Sequence, residues 1–355
     1  MEAHWITDNY SYKRLVLAAD VGGTNANIGL TAVDDGKFVI IAKCLFQTEQ
    51  VKNFADCLKS AIKYVQEKDS SLKPDICCIS AAGPVNNNRC KLSNSPLVVD
   101  GGEIERAIGI KTLLINDFSA ISYSLPLLDV NNPSQITPLP HTDGSLPAQS
   151  GNVRAVAGAG TGMGVGLLIE DDGKFKALAS EGGHIAFSSF DSETRELHEY
   201  IAKRFGELME AELFVSGAGI KNMFYYFKDV KKVEMTGVLN DIDNACDSDK
   251  PALISANAES NEICNEIIKL FVKCYGRFAG DVAAMTIPTM GLYLAGGIVT
   301  KNVKYFVENN QFMRYFDDCF HPNIKKILKN IPVYIIRDYS VSLYGAANAG
   351  CCLMQ

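Results

Sequence analysis

The sequence lacks an excess of basic charge and a long uninterrupted apolar run. Its 34 Lys and Arg residues against 41 Asp and Glu residues give a net charge of −7. This balance disfavours a nucleic-acid-binding groove, which needs clustered cations. The uncharged stretch 282–299 contains three glycines and a proline, so it is more typical of a helix end, a turn and a buried strand than of a membrane helix. We therefore expect neither a nucleic-acid partner nor membrane insertion.

A metal-binding cysteine pattern is also missing. Eleven cysteines occur, but no two are spaced as C-x-x-C, so their spacing supports no zinc site. The first residues do not combine a basic segment with an apolar one, which is the pattern of a secretory signal. These features predict a cytoplasmic protein whose cysteines stay reduced and serve packing.

The length and the pattern of apolar runs predict two α/β lobes. The chain has 355 residues, 47% of them hydrophobic, which is more than one core usually supports. Helices are expected at 51–65, 117–128, 261–287 and from 342, and a proline-containing loop at 129–151. Strands are expected, in two similar series, at 15–19, 27–32, 38–44, 76–82 and 112–115, and again at 153–157, 165–169, 175–179, 292–295 and 333–336. The repetition favours two lobes that face each other across a central cleft.

Two glycine-rich loops follow predicted strands at equivalent places in the two halves. The first loop contains Asp20, Gly22, Gly23, Thr24 and Asn25. The second loop contains Gly158, Gly160, Thr161, Gly162 and Gly164. Glycines let backbone N–H groups approach a phosphate, and Asp20 could hold Mg²⁺, although a plain hairpin explains the first loop equally well. The absence of G-x-G-x-x-G and of G-K-[ST] disfavours a Rossmann dinucleotide site and a P-loop.

Two polar segments could carry chemistry. Asn116 and Asp117 lie where a buried strand meets a helix, so Asp117 could equally be a helix N-cap or the general base of a kinase. Glu181 and His184 flank two glycines, and their side chains can complement sugar hydroxyls, which both donate and accept hydrogen bonds. A metal site at these two residues is disfavoured because no third ligand has a suitable spacing.

Eight segments, taken in order, resemble the bacterial-type glucokinases of the hexokinase–actin ATPase superfamily. They are 20–25, 82–85, 116–118, 158–164, 181–184, 216–219, 295–299 and 343–347. Each segment is weak alone, but the ordered set is specific and the resemblance extends from about residue 14 to residue 352.

The resemblance implies a fold, a reaction and a quaternary state. The fold is α/β, with two lobes of the ribonuclease H-like/actin-like ATPase type. Residues 12–126 and 338–355 are expected to form a small domain, and residues 127–337 a large one. The reaction is transfer of the γ-phosphoryl group of ATP, with Mg²⁺, to the 6-hydroxyl of glucose. Relatives are often dimers, so a homodimer is implied as well.

The resemblance also implies residue roles. Asp117 would be the general base, and Asp20 the carboxylate on the metal side. The hexose hydroxyls would be bound, beside Asp117, by Asn94, Asn116, Glu181, His184 and Glu212. The nucleotide would be bound by Asp20, Gly22, Gly23, Thr24, Asn25, Gly158, Gly160, Thr161, Gly162, Gly296 and Gly297.

Two positions depart from the family pattern. Asn27 stands where relatives typically carry Arg, and Leu97 where they commonly carry Trp. No cysteine occurs in 185–204, where the related repressor and N-acetyl-sugar kinase branch carries a zinc motif. The alternatives are a kinase for mannose, glucosamine or an N-acetylhexosamine, a non-catalytic sugar sensor, and an actin-like ATPase machine.

Overall fold

The computed structural model describes residues 1–338 and 340–354. Contacts divide the chain into two compact units. The first unit comprises Met1–Asp129, Leu168–Ala179 and Asp338–Gln355, and the second comprises Val130–Leu167 and Ser180–Arg337. Residues 168–179 thus group with the first unit, whereas the sequence analysis assigned them to the large domain. The predicted domain boundaries remain a prediction.

The strands are mostly short and apolar. They are β1 (Glu2–Trp5), β2 (Arg14–Val21), β3 (Asn25–Asp34), β4 (Lys37–Gln47), β5 (Ile76–Ala81), β6 (Val85–Asn86), β7 (Arg89–Lys91), β8 (Val98–Asp100), β9 (Thr112–Asn116), β10 (Ile136–Leu139), β11 (Val153–Ala159), β12 (Met163–Asp171), β13 (Lys174–Leu178), β14 (Leu292–Ala295) and β15 (Val333–Ile336).

The helices occupy much of the second half of the chain. They are α1 (Phe54–Lys68), α2 (Gly101–Ile108), α3 (Asp117–Ser124), α4 (Ser192–Phe205), α5 (Gly217–Asp229), α6 (Val238–Asn244), α7 (Lys250–Asn257), α8 (Glu262–Thr286), α9 (Gly297–Lys301), α10 (Val303–Val307), α11 (Gln311–Phe316), α12 (Pro322–Leu328) and α13 (Val341–Leu353).

Five strands of each six-stranded sheet follow the same order, and the sixth strand, β1 or β10, is added at opposite ends of that order. In the first, β1-β4-β3-β2-β5-β9, the meander β2–β3–β4 is antiparallel, and β5 and β9 extend it in parallel. In the second, β10-β15-β14-β11-β12-β13, the chain runs through β11, β12 and β13 before β14 and β15 add parallel strands on the other side of β11. Every residue of β5 is buried, as expected of a parallel strand covered on both faces. The predicted repetition is therefore present in the sheet order.

One strand corrects the sequence prediction. The segment 129–151 was predicted to be a loop, but β10 forms within it and pairs antiparallel with β15, with Ile136 opposite Ile336. β10 lies at the edge of its sheet, where a proline such as Pro138 is tolerated because its missing N–H is not needed on the outer side. The prolines of this segment were thus a poor guide to a loop.

The long helix α8 forms the centre of the second unit. Its buried side chains include Phe271 and Tyr275, and the Tyr275 hydroxyl donates a hydrogen bond to the Ala157 carbonyl at 2.8 Å. This bond fixes α8 to β11, the strand that leads into the second glycine loop. α8 also carries charged residues such as Lys273 and Asp281, and no helix in the described part of the chain is long and apolar enough to cross a membrane.

All eleven cysteines are free thiols, and seven of them are buried. Cys77 and Cys78 lie on the fully buried strand β5, where burial raises the thiol pKa of Cys77 to about 12. A thiol with so high a pKa stays protonated at neutral pH and acts as a packing group.

Candidate active site

The first glycine loop is the tight connection between β2 and β3. The Gly22 N–H donates to the Asn25 carbonyl at 2.9 Å, and the Thr48 hydroxyl donates to the Gly22 carbonyl at 2.8 Å. A Cβ added to Gly23 would lie 3.0 Å from the Cβ of Asn94. Two segments predicted to bind phosphate and sugar are therefore neighbours within the first unit, and Asn94 itself is exposed.

Asp20 is the last polar residue of β2 before this loop. Its Oδ1 accepts a hydrogen bond from Ser80 at 2.9 Å, and its Oδ2 accepts one from Ser342 at 2.8 Å. Burial raises the pKa of Asp20, and the two serine hydroxyls lower it in part. Each oxygen keeps a lone pair, so the carboxylate could still contact a metal ion.

A magnesium ion fits this site only if phosphates and water complete its coordination. In the described ranges, no three His, Cys, Asp or Glu side chains cluster so as to hold a metal ion. Mg²⁺ commonly takes one or two carboxylates and fills its remaining positions with water and substrate phosphates. A single carboxylate, Asp20, beside a glycine loop suits that arrangement.

Asn116, not Asp117, is the N-cap of α3. The Asn116 Oδ1 accepts hydrogen bonds from the N–H groups of Phe118, at 2.9 Å, and Ser119, at 3.4 Å. Its Nδ2 donates to the Gly83 carbonyl at 3.2 Å, which leaves one amide hydrogen for a ligand. The capping alternative for Asp117 is thereby removed, since Asp117 is the first helical residue.

Asp117 is partly buried at the start of α3. Its Oδ1 accepts a hydrogen bond from the Phe118 N–H at 3.0 Å. Burial raises its pKa from the ordinary value of 3.8 to about 6, the Phe118 N–H opposes this rise, and the negative charge of Asp20 adds to it. Most of the carboxylate is therefore ionised at pH 7, and it is a stronger proton acceptor than an exposed Asp.

The second glycine loop joins β11 to β12 in the second unit. The Gly160 N–H donates to the Gly162 carbonyl at 2.9 Å, and the Gly217 N–H donates to the Gly160 carbonyl at 2.9 Å. Glu212 Oε2 accepts a hydrogen bond from the Met163 N–H at 2.9 Å. The loop is thus held from outside by the start of α5 and by one of the predicted sugar-binding carboxylates.

The segment from Glu181 to His184 forms a tight turn against β12. A Cβ on Gly183 would lie 1.8 Å from the Met163 carbonyl oxygen, so only glycine allows the turn to lie so close to the strand. His184 Nε2 lies 4.0 Å from Glu181 Oε2. The negative charge of Glu212 also helps to raise the pKa of His184. The structure therefore brings Glu181, His184 and Glu212 together.

Glu210 belongs to this cluster and was not predicted. Its Oε2 lies 2.7 Å from His184 Nδ1, and this hydrogen bond is the main reason that the pKa of His184 is raised. Glu210 and Glu212 flank the buried Ala211. The available signal was a second carboxylate only two residues before the predicted Glu212.

A cavity of about 350 Å³ lies in the second unit, beside the second glycine loop. It is within the size range of small-molecule sites. Its lining includes Gly160, Thr161, Gly217, Pro251, Gly297 and Ile298. Three predicted nucleotide-binding residues, Gly160, Thr161 and Gly297, therefore face one cavity.

Gly158, Gly162 and Gly296 lie in the adjoining backbone rather than in the lining. Gly296 has φ +101°, and a Cβ there would lie 2.2 Å from the Ala159 carbonyl oxygen. This close approach brings the ends of β11 and β14 together, and open α/β sheets commonly bind ligands at that edge. Sequence reasoning missed Lys221, which also lines the cavity, although it follows Gly217 by one helical turn.

The similarity to known proteins extends over nearly the whole chain. The family model described as Glucokinase matches residues 17–351. The glucokinase of Photorhabdus laumondii subsp. laumondii is 29% identical over 334 residues, which cover 93% of this chain and 95% of that protein.

Two solved structures share the fold. The glucokinase from an Antarctic psychrotroph has a TM-score of 0.78 at 25% sequence identity, and the superposition covers 96% of this chain and 99% of that protein. The Balamuthia mandrillaris glucokinase in complex with glucose has a TM-score of 0.73 at 20% identity, with coverages of 94% and 92%. These matches confirm the predicted α/β fold of the actin-like ATPase type. Because the family model covers almost the entire sequence, this chain belongs to the glucokinase family.

Proposed function

We propose that the chain is an ATP-dependent glucokinase in which Asp117 takes the proton of the glucose 6-hydroxyl. As the 6-oxygen bonds to the γ-phosphorus, the bond from phosphorus to the leaving ADP oxygen breaks, and the hydroxyl proton passes to the carboxylate. The observation that carries the proposal is the partly buried carboxylate at the first residue of α3, where burial raises the pKa of Asp117 to about 6. A general base of this kind contributes about 10²–10⁴ in rate.

Each unit, taken by itself, contains groups suited to hexose hydroxyls. Asn94 and the remaining amide hydrogen of Asn116 are in the first unit, and the cluster of Glu181, His184 and Glu212 is in the second. Each sugar hydroxyl both donates and accepts, so carboxylate, amide and imidazole groups can satisfy it in full. A site built on such hydrogen bonds discriminates strongly against an analogue that lacks one hydroxyl.

The donor nucleotide is assigned to the glycine loops and the cavity. The Gly22 and Gly160 N–H groups donate within their own loops, so the other backbone N–H groups of these two loops are the ones proposed to bind phosphates. The cavity offers apolar walls for a base. Bound Mg²⁺ would neutralise phosphate charge, with Asp20 as the carboxylate that holds it directly or through water. The homodimer and the cytoplasmic location remain predictions.

The proposal is tested by measuring phosphoryl transfer from ATP, with Mg²⁺, to glucose, mannose, glucosamine and N-acetylglucosamine. We expect glucose to have the highest kcat/KM, by about 10-fold or more. A higher value for another hexose would establish the alternative acceptor. No transfer to any hexose, together with measurable glucose binding, would favour the sugar sensor.

Glu210 should tune glucose binding through His184. We expect Glu210→Gln to raise KM for glucose about 5-fold at pH 8, because one charge-assisted hydrogen bond of about 1 kcal/mol is weakened. Glu210 raises the pKa of His184. We expect glucose to bind best to the protonated imidazole, so KM should rise as the pH increases and His184 loses its proton. Removing Glu210 should move this rise to lower pH, while kcat changes little. The measurement is glucose KM between pH 6 and pH 9.

The control for this prediction is Glu207→Gln. Glu207 is exposed and lies three residues before Glu210, so this variant removes the same charge without contacting His184. If Glu207→Gln and Glu210→Gln give the same dependence of KM on pH, Glu210 does not act through the imidazole.

A further inference from the structure

One end of the cavity in the second unit carries a charged cluster that phosphate binding does not explain. Lys221 Nζ donates to Asp247 Oδ2 at 3.1 Å, and the Tyr225 hydroxyl donates to Asp247 Oδ1 at 2.7 Å. Lys221 and Asp247 both line the cavity. The Asp247 side chain remains 55% exposed in spite of these contacts, so it can still contact a ligand.

The position of Asp247 is fixed before any ligand binds. Asp247 lies in the short connection between α6 and α7, which is held by the buried Lys250. The Lys250 ammonium donates to the carbonyls of Ile242, Asp243 and Ala245, at 2.9, 2.8 and 2.7 Å. Hydrogen bonds from Tyr225 and Lys221 hold the pKa of Asp247 below its ordinary value, so at neutral pH it only accepts hydrogen bonds.

The helix α5 sets the distance between this cluster and the glycine loop. The first residue of α5, Gly217, donates its N–H to the Gly160 carbonyl at 2.9 Å. Lys221 and Tyr225 follow on the same side at intervals of four residues, which places them about 6 Å and about 12 Å along the helix axis. A nucleotide whose phosphates contact the loop at Gly160 would reach this cluster with its ribose.

The chemistry of the pair matches a vicinal diol. Each Asp247 oxygen accepts one hydrogen bond within the protein and keeps a lone pair for another, and the Lys221 ammonium keeps two N–H donors. Two adjacent hydroxyls can donate to the carboxylate and accept from the ammonium. An ionised phosphate has no hydrogen to donate to the Asp247 carboxylate, whereas a hydroxyl has one. Pro251, Ala252 and Ile298 in the same lining are apolar and suit a base instead.

We propose that Asp247 and Lys221 bind the 2′- and 3′-hydroxyls of the donor nucleotide and so select ribonucleotides over deoxyribonucleotides. This inference rests on the proposed function, because it takes the cavity to be the site of the phosphoryl donor. It adds a specificity-determining pair to that site.

The test compares ATP with 2′-deoxy-ATP and 3′-deoxy-ATP as donors at saturating glucose. We expect the wild type to favour ATP by about 10-fold or more in kcat/KM. In Asp247→Asn this preference should fall to about 2-fold, chiefly through a loss with ATP, while KM for glucose stays the same. Asp241→Asn is the matched control, since it removes an exposed carboxylate of α6 and should keep the full preference.

Lys221→Met is the second variant, in case Asp247→Asn lowers the thermal midpoint. It should also reduce the preference for ATP. The proposal is overturned if the wild type uses ATP and both deoxy analogues equally, or if the folded variants keep the wild-type preference. If the wild type transfers no phosphoryl group, the proposed function fails, and calorimetric binding of ATP and 2′-deoxy-ATP to the wild type and Asp247→Asn then tests the ribose contact by itself.

Discussion

Replacing Asp117 by Asn is expected to lower kcat for glucose phosphorylation by at least about 100-fold, because the amide cannot take the proton of the attacking hydroxyl. KM for ATP should change little, since the phosphates are assigned to other residues. The Asn side chain keeps the size of Asp and can still accept the hydrogen bond from the Phe118 N–H. The measurement is steady-state kcat with ATP, Mg²⁺ and glucose.

The pH profile separates loss of the base from other causes. Burial raises the pKa of Asp117 to about 6, and only the ionised form can accept a proton. Wild-type kcat/KM for glucose should therefore fall as the pH drops below about 6. Asp117→Asn should lack this acidic decline. A variant with wild-type activity, or with the same acidic decline, would remove Asp117 from the reaction.

Thermal unfolding distinguishes loss of the general base from misfolding of the Asp117→Asn variant. The folded protein binds the Asp117 proton more tightly than the unfolded chain does, so ionisation of this group opposes folding progressively between pH 3.8 and about 6, and in full above that. Asp117→Asn should thus unfold at the same temperature as the wild type or higher at pH 7. Asp56→Asn, at an exposed position of α1, is the control. If Asp117→Asn has a lower unfolding midpoint than the wild type and Asp56→Asn does not, the lost activity is explained by misfolding.

Local apolar patterns predicted most of the sheet strands. The strand at 292–295 and the strand at 333–336 match β14 and β15 residue for residue, because short buried runs between turns leave few alternatives. β10 was missed because an edge strand can carry prolines and polar residues. β1 and the small strands β6 to β8 were missed because they are short and partly exposed.

The side-chain partners within the site could not be predicted in the same way. His184 and Glu210 are 26 residues apart, and so are Lys221 and Asp247. Such pairs depend on how separate segments pack, which local periodicity does not encode. The positions of Gly183 and Gly296 were informative, because a Cβ at either one would clash with a neighbouring backbone oxygen.

The structure shows the surroundings of Leu97 and Asn27, the two positions that depart from the family pattern. Leu97 is only 8% exposed and packs in a core of the first unit, so the smaller side chain still fills an apolar position. Asn27 lies directly opposite Asp20 in the β2–β3 pair, and opposite residues share a face of the sheet. With Asn at this position, the hydrogen bonds that Asp20 accepts come from the neutral hydroxyls of Ser80 and Ser342.

The second large effect is expected from Gly183→Ala, which should lower kcat/KM for glucose by about 100-fold. The new Cβ would lie 1.8 Å from the Met163 carbonyl oxygen, so the turn or the strand must move. Movement of the turn displaces His184, and movement of the strand displaces the Met163 N–H from Glu212. Either shift disturbs groups assigned to the hexose, whereas most of the cavity proposed for the nucleotide is formed by α5, α7 and α9.

Gly183→Ala should also lower the thermal midpoint by several degrees, since a backbone clash in a packed region costs about 1–3 kcal/mol. Gly102→Ala is the matched control. Gly102 lies in α2, and a Cβ there makes only ordinary contacts of 3.5 Å or more, so this variant should keep full activity and be slightly more stable. Calorimetric binding of ATP separates a local effect from global unfolding, because the locally disturbed protein still binds the nucleotide. If Gly183→Ala matches the wild type in both midpoint and glucose kcat/KM, close contact between this turn and β12 is not required for hexose binding.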